Sequence, residues 1–138
     1  MPGLVIRSEQ MAVFARLGEP AFKREIVEYF RSEYGISLSY LSDVELSHRV
    51  HIAYERALQF GFTMRASIVA YILLMFAVSP EFDTHPAIHQ ILHQRSIPPD
   101  ERLPCLADAI TTDEWEQARA TNDGSFWELR TPSVPSGL

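Results

Sequence analysis

Cysteine is nearly absent from this chain of 138 residues: Cys105 stands alone. No internal disulfide can form, and nothing points to an oxidising compartment. Glycine is sparse, at six residues. There is no Gly-x-Ser-x-Gly elbow, no phosphate-binding loop and no Gly-x-Gly-x-x-Gly fingerprint, which leans against an enzyme. Basic residues are in deficit: 12 Lys and Arg face 18 Asp and Glu, for a net charge of −6. A surface of that sign repels phosphate backbones and argues against nucleic-acid binding. Strand-like alternation never extends beyond a few residues, and no internal repeat or low-complexity tract is visible. The opening Met-Pro-Gly-Leu-Val-Ile-Arg lacks the basic and apolar regions of a secretory signal, so a cytoplasmic location is expected.

What the chain does have is apolar content, 46 % hydrophobic and 11 % aromatic, enough for a core. The longest apolar stretch lies within residues 63–79, where every position from Ile68 to Val78 is apolar or tyrosine. A surface helix shows one apolar stripe, whereas a segment apolar all round is buried on every side. Ala, Leu and Met favour helix there, and the run is too short for a bilayer, which needs ~20 apolar residues. The expected architecture is all-α: a compact bundle of about six to seven helices around a buried central helix at about 63–79.

The flanking segments carry helix punctuation. Leu4-Val5-Ile6 is a short apolar run, either a brief extended segment or a packing arm, and Ser8 caps a helix to about Leu17. Pro20 suits the first turn of a helix with Phe22, Ile26, Tyr29 and Phe30 on its inner face, closed by Gly35. Ser42 with Glu45 forms a capping box, and Leu41 with Leu46 a hydrophobic staple, for a helix whose stripe is Leu46, Val50, Ala53 and Ala57. Gly61 ends it in the left-handed conformation, and Thr63 caps the central helix. Asp83 or Thr84 starts a short helix to about His93, with Ile88, Ile91 and Leu92 inward. Pro98 and Pro99 open another, with Leu103, Leu106, Ala107 and Ile110 helix-spaced. Thr111 and Glu114 make a second capping box ahead of Trp115 and Ala118. Residues 1–121 read as one helical domain and 122–138 as a C-terminal tail rich in Pro, Ser and Gly.

Candidate chemistry is thin. His85, His89 and His93 recur every four residues, a spacing at which two histidines on a helix can share a metal. Three from one helix rarely surround an ion without another ligand, so a polar boundary face is the plainer reading, and no metal or cofactor is expected. His48, His51 and Glu55 share a face opposite the Leu46 stripe, with Ile52 among them as a hint of partner contact. Glu45 and His48 spell Glu-x-x-His, but a di-iron bundle needs two such motifs facing inward. Cys105 sits on an apolar face and reads as a small buried side chain.

Charge is unevenly placed. Residues 1–79 hold eight acids and eight bases, while 80–138 hold ten acids and four bases. The excess lies between Asp100 and Glu128. This acidic face keeps the chain soluble or meets a basic partner. Phe126 and Trp127 in the tail are either partner anchors or a flap over the domain's own core. The partner-binding candidates are therefore Asp113, Glu114, Glu116, Phe126 and Trp127.

Several motifs occur together: Val5-Ile6-Arg7-Ser8-Glu9-Gln10-Met11, Phe60-Gly61-Phe62, Leu74-Met75 and Phe82-Asp83-Thr84-His85-Pro86. In these the chain resembles small uncharacterised helical proteins encoded beside the spike and toxin genes of bacterial type VI secretion systems. The resemblance spans about residues 5–110 and carries no catalytic residues. It implies a non-catalytic adaptor or co-chaperone that holds a toxin for loading onto the spike, with a secreted toxin or spike component as its protein partner. An immunity protein that blocks a toxin is the alternative. A small metal-dependent enzyme using the His85/His89/His93 helix is the rival from another class, and a self-associating structural subunit is a further one.

Overall fold

The computed structural model describes residues 18–120 and 126–127. These form six α-helices and one 3₁₀ turn: α1 (Glu19–Tyr34), α2 (Asp43–Leu58), α3 (Arg65–Ala77), the turn Phe82–Thr84, α4 (Pro86–Leu92), α5 (Pro99–Ala109) and α6 (Thr112–Arg119). Among the described residues there is no strand, and no helix is long and apolar enough to cross a membrane. The fold is the all-helical bundle expected. The Leu4-Val5-Ile6 run and the helix expected over Ser8–Leu17 lie outside the described residues.

The apolar stretch becomes α3, and it is the centre of the molecule. Ser67, Ile68, Val69, Tyr71, Ile72, Leu73, Leu74 and Met75 are all buried, on every side of the helix. The helices α1 and α2 pack against each other, and α2 and α5 pack on α3. Phe22, Ile26, Tyr29 and Phe30 of α1 are buried, as are Leu46, Val50, Ala53, Tyr54 and Ala57 of α2. Both capping boxes form: Ser42 accepts from the Glu45 N–H, Thr111 accepts from the Glu114 N–H, and each glutamate reaches back to its cap backbone. Gly61 is at φ +79, the left-handed region expected of it.

Other local expectations change. Gly35 closes α1 as expected, but as a C-cap in the right-handed region (φ −55), where a Cβ would meet the Arg31 carbonyl oxygen at 2.5 Å. The short helix α4 is capped by His85 in place of Asp83 or Thr84. Ala107 is exposed and Cys105 half-buried, because the inward face of α5 is carried by Leu103 and Leu106.

The central helix is capped from outside. Thr63 precedes it but gives no cap of its own. Instead Asp100, in the first turn of α5, accepts from the Thr63 N–H at 3.1 Å and the Met64 N–H at 3.0 Å. At the other end Arg119 of α6 donates to the Ala77 carbonyl at 2.9 Å. A carboxylate at the N-terminus and a guanidinium at the C-terminus both complement the helix dipole. The partners are 37 and 42 residues apart in sequence, so these contacts tie α5 and α6 to the core as well as satisfying backbone groups.

Partial burial would raise the Asp100 carboxyl, but hydrogen bonds from Thr63, Met64 and Ser67 outweigh it and hold the group below its ordinary value. A carboxylate depressed on folding stabilises fully above its unfolded value and loses that contribution as pH falls through the folded one. Asp100→Asn is expected to cost ~1 kcal/mol at neutral pH, the size of a lost cap. It should also flatten the loss of stability below about pH 4. Thermal melts of both proteins between neutral and acid pH check this; parallel curves would contradict it.

Candidate functional site

One buried-carboxylate cluster joins three elements. Arg56, near the end of α2, points its guanidinium at Asp83 in the 3₁₀ turn: Nε donates to Oδ2 at 3.0 Å and Nη2 to Oδ1 at 2.8 Å. The Tyr71 hydroxyl, from the middle of α3, donates to Asp83 Oδ2 at 2.6 Å. Arg56 Nε also lies 3.2 Å from the Tyr71 oxygen. Asp83 is only 5 % exposed, so its charge is held by this fork and by the phenol. Burial, followed by the adjacent Asp83 charge, pushes the Tyr71 phenol far above its ordinary value, which keeps it a proton donor. For Arg56, burial alone would lower the pKa, and the Asp83 contacts reverse that.

Two clefts open beside this cluster. One, of about 370 Å³, is lined by Arg56, Gln59, Phe60, Asp83, His89 and His93 among others. The second, of about 330 Å³, is lined by Arg56 and Gln59 again, with His51, Ile52, Glu55 and Phe126. Phe60 stacks on the edge of the His93 ring at 5.5 Å. The Arg56 guanidinium stands 5.5 Å from the Phe126 ring centroid.

The histidines divide. The Ala87 N–H points at His85 Nδ1 at 3.2 Å, so Nδ1 accepts, and Nε2 donates to Gln117 Oε1 at 2.8 Å. Both nitrogens of His85 are therefore engaged in capping α4 and tying it to α6. The expected trio on one helix face does not form, because His85 precedes the helix with extended backbone. His89 and His93 do meet, with ring centroids 4.0 Å apart. Among the described residues no group of three or more His, Cys, Asp or Glu side chains is placed to hold a metal. On α2, His51 and Glu55 are exposed and His48 is half-buried. Ile52 is half-buried too, packed on the core rather than displayed.

The acidic candidates lie on α6. Asp113 and Glu116 are exposed, and Glu116 is 3.8 Å from Arg119. Glu114 is bound to Thr111 in the cap, and hydrogen bonds from the Thr111 backbone and side chain lower its carboxyl. Phe126 and Trp127 are 4 % and 5 % exposed and belong to the core cluster. Trp127 packs on Phe76 at 5.5 Å, and Arg49 lies over its ring at 5.3 Å. In this structure the two rings close over the domain rather than stand out for a partner.

A different surface presents apolar side chains. Between α1 and α2, Ile36 is 94 % exposed and Tyr40 68 %, and Val44 in the first turn of α2 is 80 % exposed. Leu38 and Leu41 of the same loop are buried. Arg31 fixes the loop: Nη1 donates to the Leu38 carbonyl at 2.8 Å, Nη2 to the Leu41 carbonyl, and Nε to Asp43 Oδ1 at 3.1 Å. The loop is thus anchored by two leucines and one arginine while three apolar side chains face solvent.

The chain matches no protein-family model, no curated protein and no solved structure. The type VI resemblance accordingly stands on the sequence motifs alone.

Sequence reasoning passed over Arg56 and the Ile36 corner. For Arg56 the available signal was weak: a basic residue beside Ala57, at the edge of the α2 stripe. For the corner it was stronger, since Ile36 and Tyr40 are large apolar residues in a serine-rich linker that follows no helical pattern.

Proposed function

We propose that the protein is a non-catalytic binding module, an adaptor that holds a type VI secretion toxin for loading onto the spike. The observation that carries the binding reading is the Ile36–Tyr40–Val44 corner. An apolar loop left in water favours contact with another surface. Here the Arg31 hydrogen bonds hold the loop in one shape, so little ordering entropy is lost on docking. Tyrosine and isoleucine beside a polar rim suit a protein interface. The motif resemblance supplies the partner class. The Arg56–Asp83–Tyr71 cluster supports the same reading, since the buried Asp83 carboxylate and Tyr71 hydroxyl are spent on their neighbours across three elements.

A pull-down of the tagged chain from its native host, read by mass spectrometry, tests this. Recovery of a toxin or a spike component supports the reading; recovery of the chain alone overturns it. Survival of toxin-expressing cells with and without the protein separates loading from immunity.

The exposed carboxylates of α6 add an electrostatic contribution toward a basic partner. Asp113→Lys with Glu116→Lys is expected to weaken capture about tenfold in low salt, with less effect at high salt. Glu114 is left in place because it closes the α6 cap. Unchanged capture in low salt would remove the acidic helix from the interface.

A further inference from the structure

His89 and His93 stand one turn apart at the end of α4. Their ring centroids lie 4.0 Å from one another, with the planes tilted by 53°. Residues four apart share a helix face, and two imidazoles so placed can chelate one metal ion. Both side chains are exposed, and both line the cleft of about 370 Å³. The charged residues among its described lining, Arg56 and Asp83, are spent on one another. No free cation in that lining therefore opposes a metal.

The tautomer of His93 is fixed. Its Nδ1 lies 2.9 Å from the His89 carbonyl oxygen. A carbonyl can only accept, so Nδ1 donates and the neutral ring keeps its lone pair on Nε2. Metal-binding histidines are held in this way: one ring nitrogen donates to a carbonyl or carboxylate and the other faces the ion. Phe60 packs against the His93 ring at 5.5 Å and restrains it. The ring nitrogens of His89 have no hydrogen-bond partner among the described residues, so that ring is free to turn toward its neighbour.

The ring separation selects the class of ion. A metal about 2.0 Å from each nitrogen lies ~3.1 Å from each ring centre. Rings 4.0 Å apart then subtend roughly 80° at the ion. A tetragonal site wants about 90°, reached if the rings part by about half an ångström. A tetrahedral site wants about 109° and needs roughly twice that movement. We propose that His89 and His93 bind one tetragonal divalent metal ion, Cu(II) above all, through two imidazole nitrogens in cis positions. No other described His, Cys, Asp or Glu joins them, so water fills the remaining positions. The site is built from other residues than the Ile36 corner, so failure of one leaves the other standing.

The test adds copper(II) chloride to the full chain, free of any histidine tag, in a buffer that does not bind metals. One Cu(II) should bind per chain, and its electron paramagnetic resonance spectrum should show coupling to two imidazole nitrogens. In NMR, Cu(II) below one equivalent should broaden the ring Hε1 resonances of His89 and His93 before those of His48, His51 and His85. His89→Gln and His93→Gln replace exposed side chains, so each should leave the metal-free Tm within about 2 °C of the parent. Each should weaken Cu(II) binding at least ~10-fold, whereas His51→Gln should not weaken it. Coupling to one imidazole or none, broadening that begins at His48, His51 or His85 or is equal across all five, no binding, or full affinity in either variant would each overturn the proposal. Zn(II) binding the same two rings as tightly as Cu(II) would overturn the tetragonal class of ion.

Discussion

Asp83→Ala should destabilise the protein by ~3 kcal/mol, or about 10 °C in Tm for a chain of this length. The carboxylate takes hydrogen bonds from Arg56 and Tyr71 while nearly all of it is out of water. Alanine leaves the guanidinium half-buried without its counter-ion and the phenol without its acceptor. Losing one member of a buried ionic pair costs far more than the pair contributes against an apolar replacement. Arg56→Met combined with Asp83→Leu should therefore cost less than Asp83→Ala alone, even though it alters more atoms. Denaturant unfolding of the single and double variants checks this. A double variant less stable than the single one would mean that the pair is a net source of stability. Tyr71→Phe, which keeps the ion pair and removes one hydrogen bond to a charged acceptor, should fall between, at ~2 kcal/mol.

The second large effect concerns binding. Ile36→Asp with Tyr40→Asp should leave Tm within about 2 °C of the parent, because exposed substitutions away from caps and cores change stability by no more than ~0.5 kcal/mol. The same pair should reduce partner affinity at least ~30-fold, since truncating one central aromatic or aliphatic anchor costs ~2 kcal/mol and a buried carboxylate adds to it. Stability and binding separate here because Ile36 and Tyr40 face solvent while Leu38 and Leu41 anchor the loop. Leu38→Asp is the contrasting variant: it should lower both, by burying a charge in the α1–α2 seam.

The parts of this fold that could be read from sequence are those whose physics is local. Ser42 and Glu45 lie three residues apart, and so do Thr111 and Glu114, and both capping boxes form as read. The all-apolar run at Ile68–Val78 needs no partner to announce burial, and α3 is buried on every side. Reading fails where a side chain's partner is distant. Asp83 looked like a helix cap; its partner is Arg56, 27 residues upstream. Asp100 looked like part of an acidic face; it caps a helix that begins in another part of the chain. Thr63 looked like that cap, yet its backbone N–H is itself held by Asp100.

The same division holds for the candidate site. Periodicity of four placed His85 with His89 and His93, but a helix must contain a residue for its angle to apply, and Pro86 starts α4 one residue too late. Phe126 and Trp127 were read as aromatic anchors or as a flap, two outcomes that composition cannot separate. Their contacts with Phe76, Arg49 and Arg56 place them over the core.

The most direct test of the binding-module account is a side-by-side capture from the native host. The tagged parent chain and its Ile36→Asp/Tyr40→Asp variant would be compared by quantitative mass spectrometry at equal bait recovery. The account predicts a toxin or spike component enriched with the parent and lost with the variant, at unchanged Tm. An identical set of captured proteins with both baits, or none with either, would contradict it.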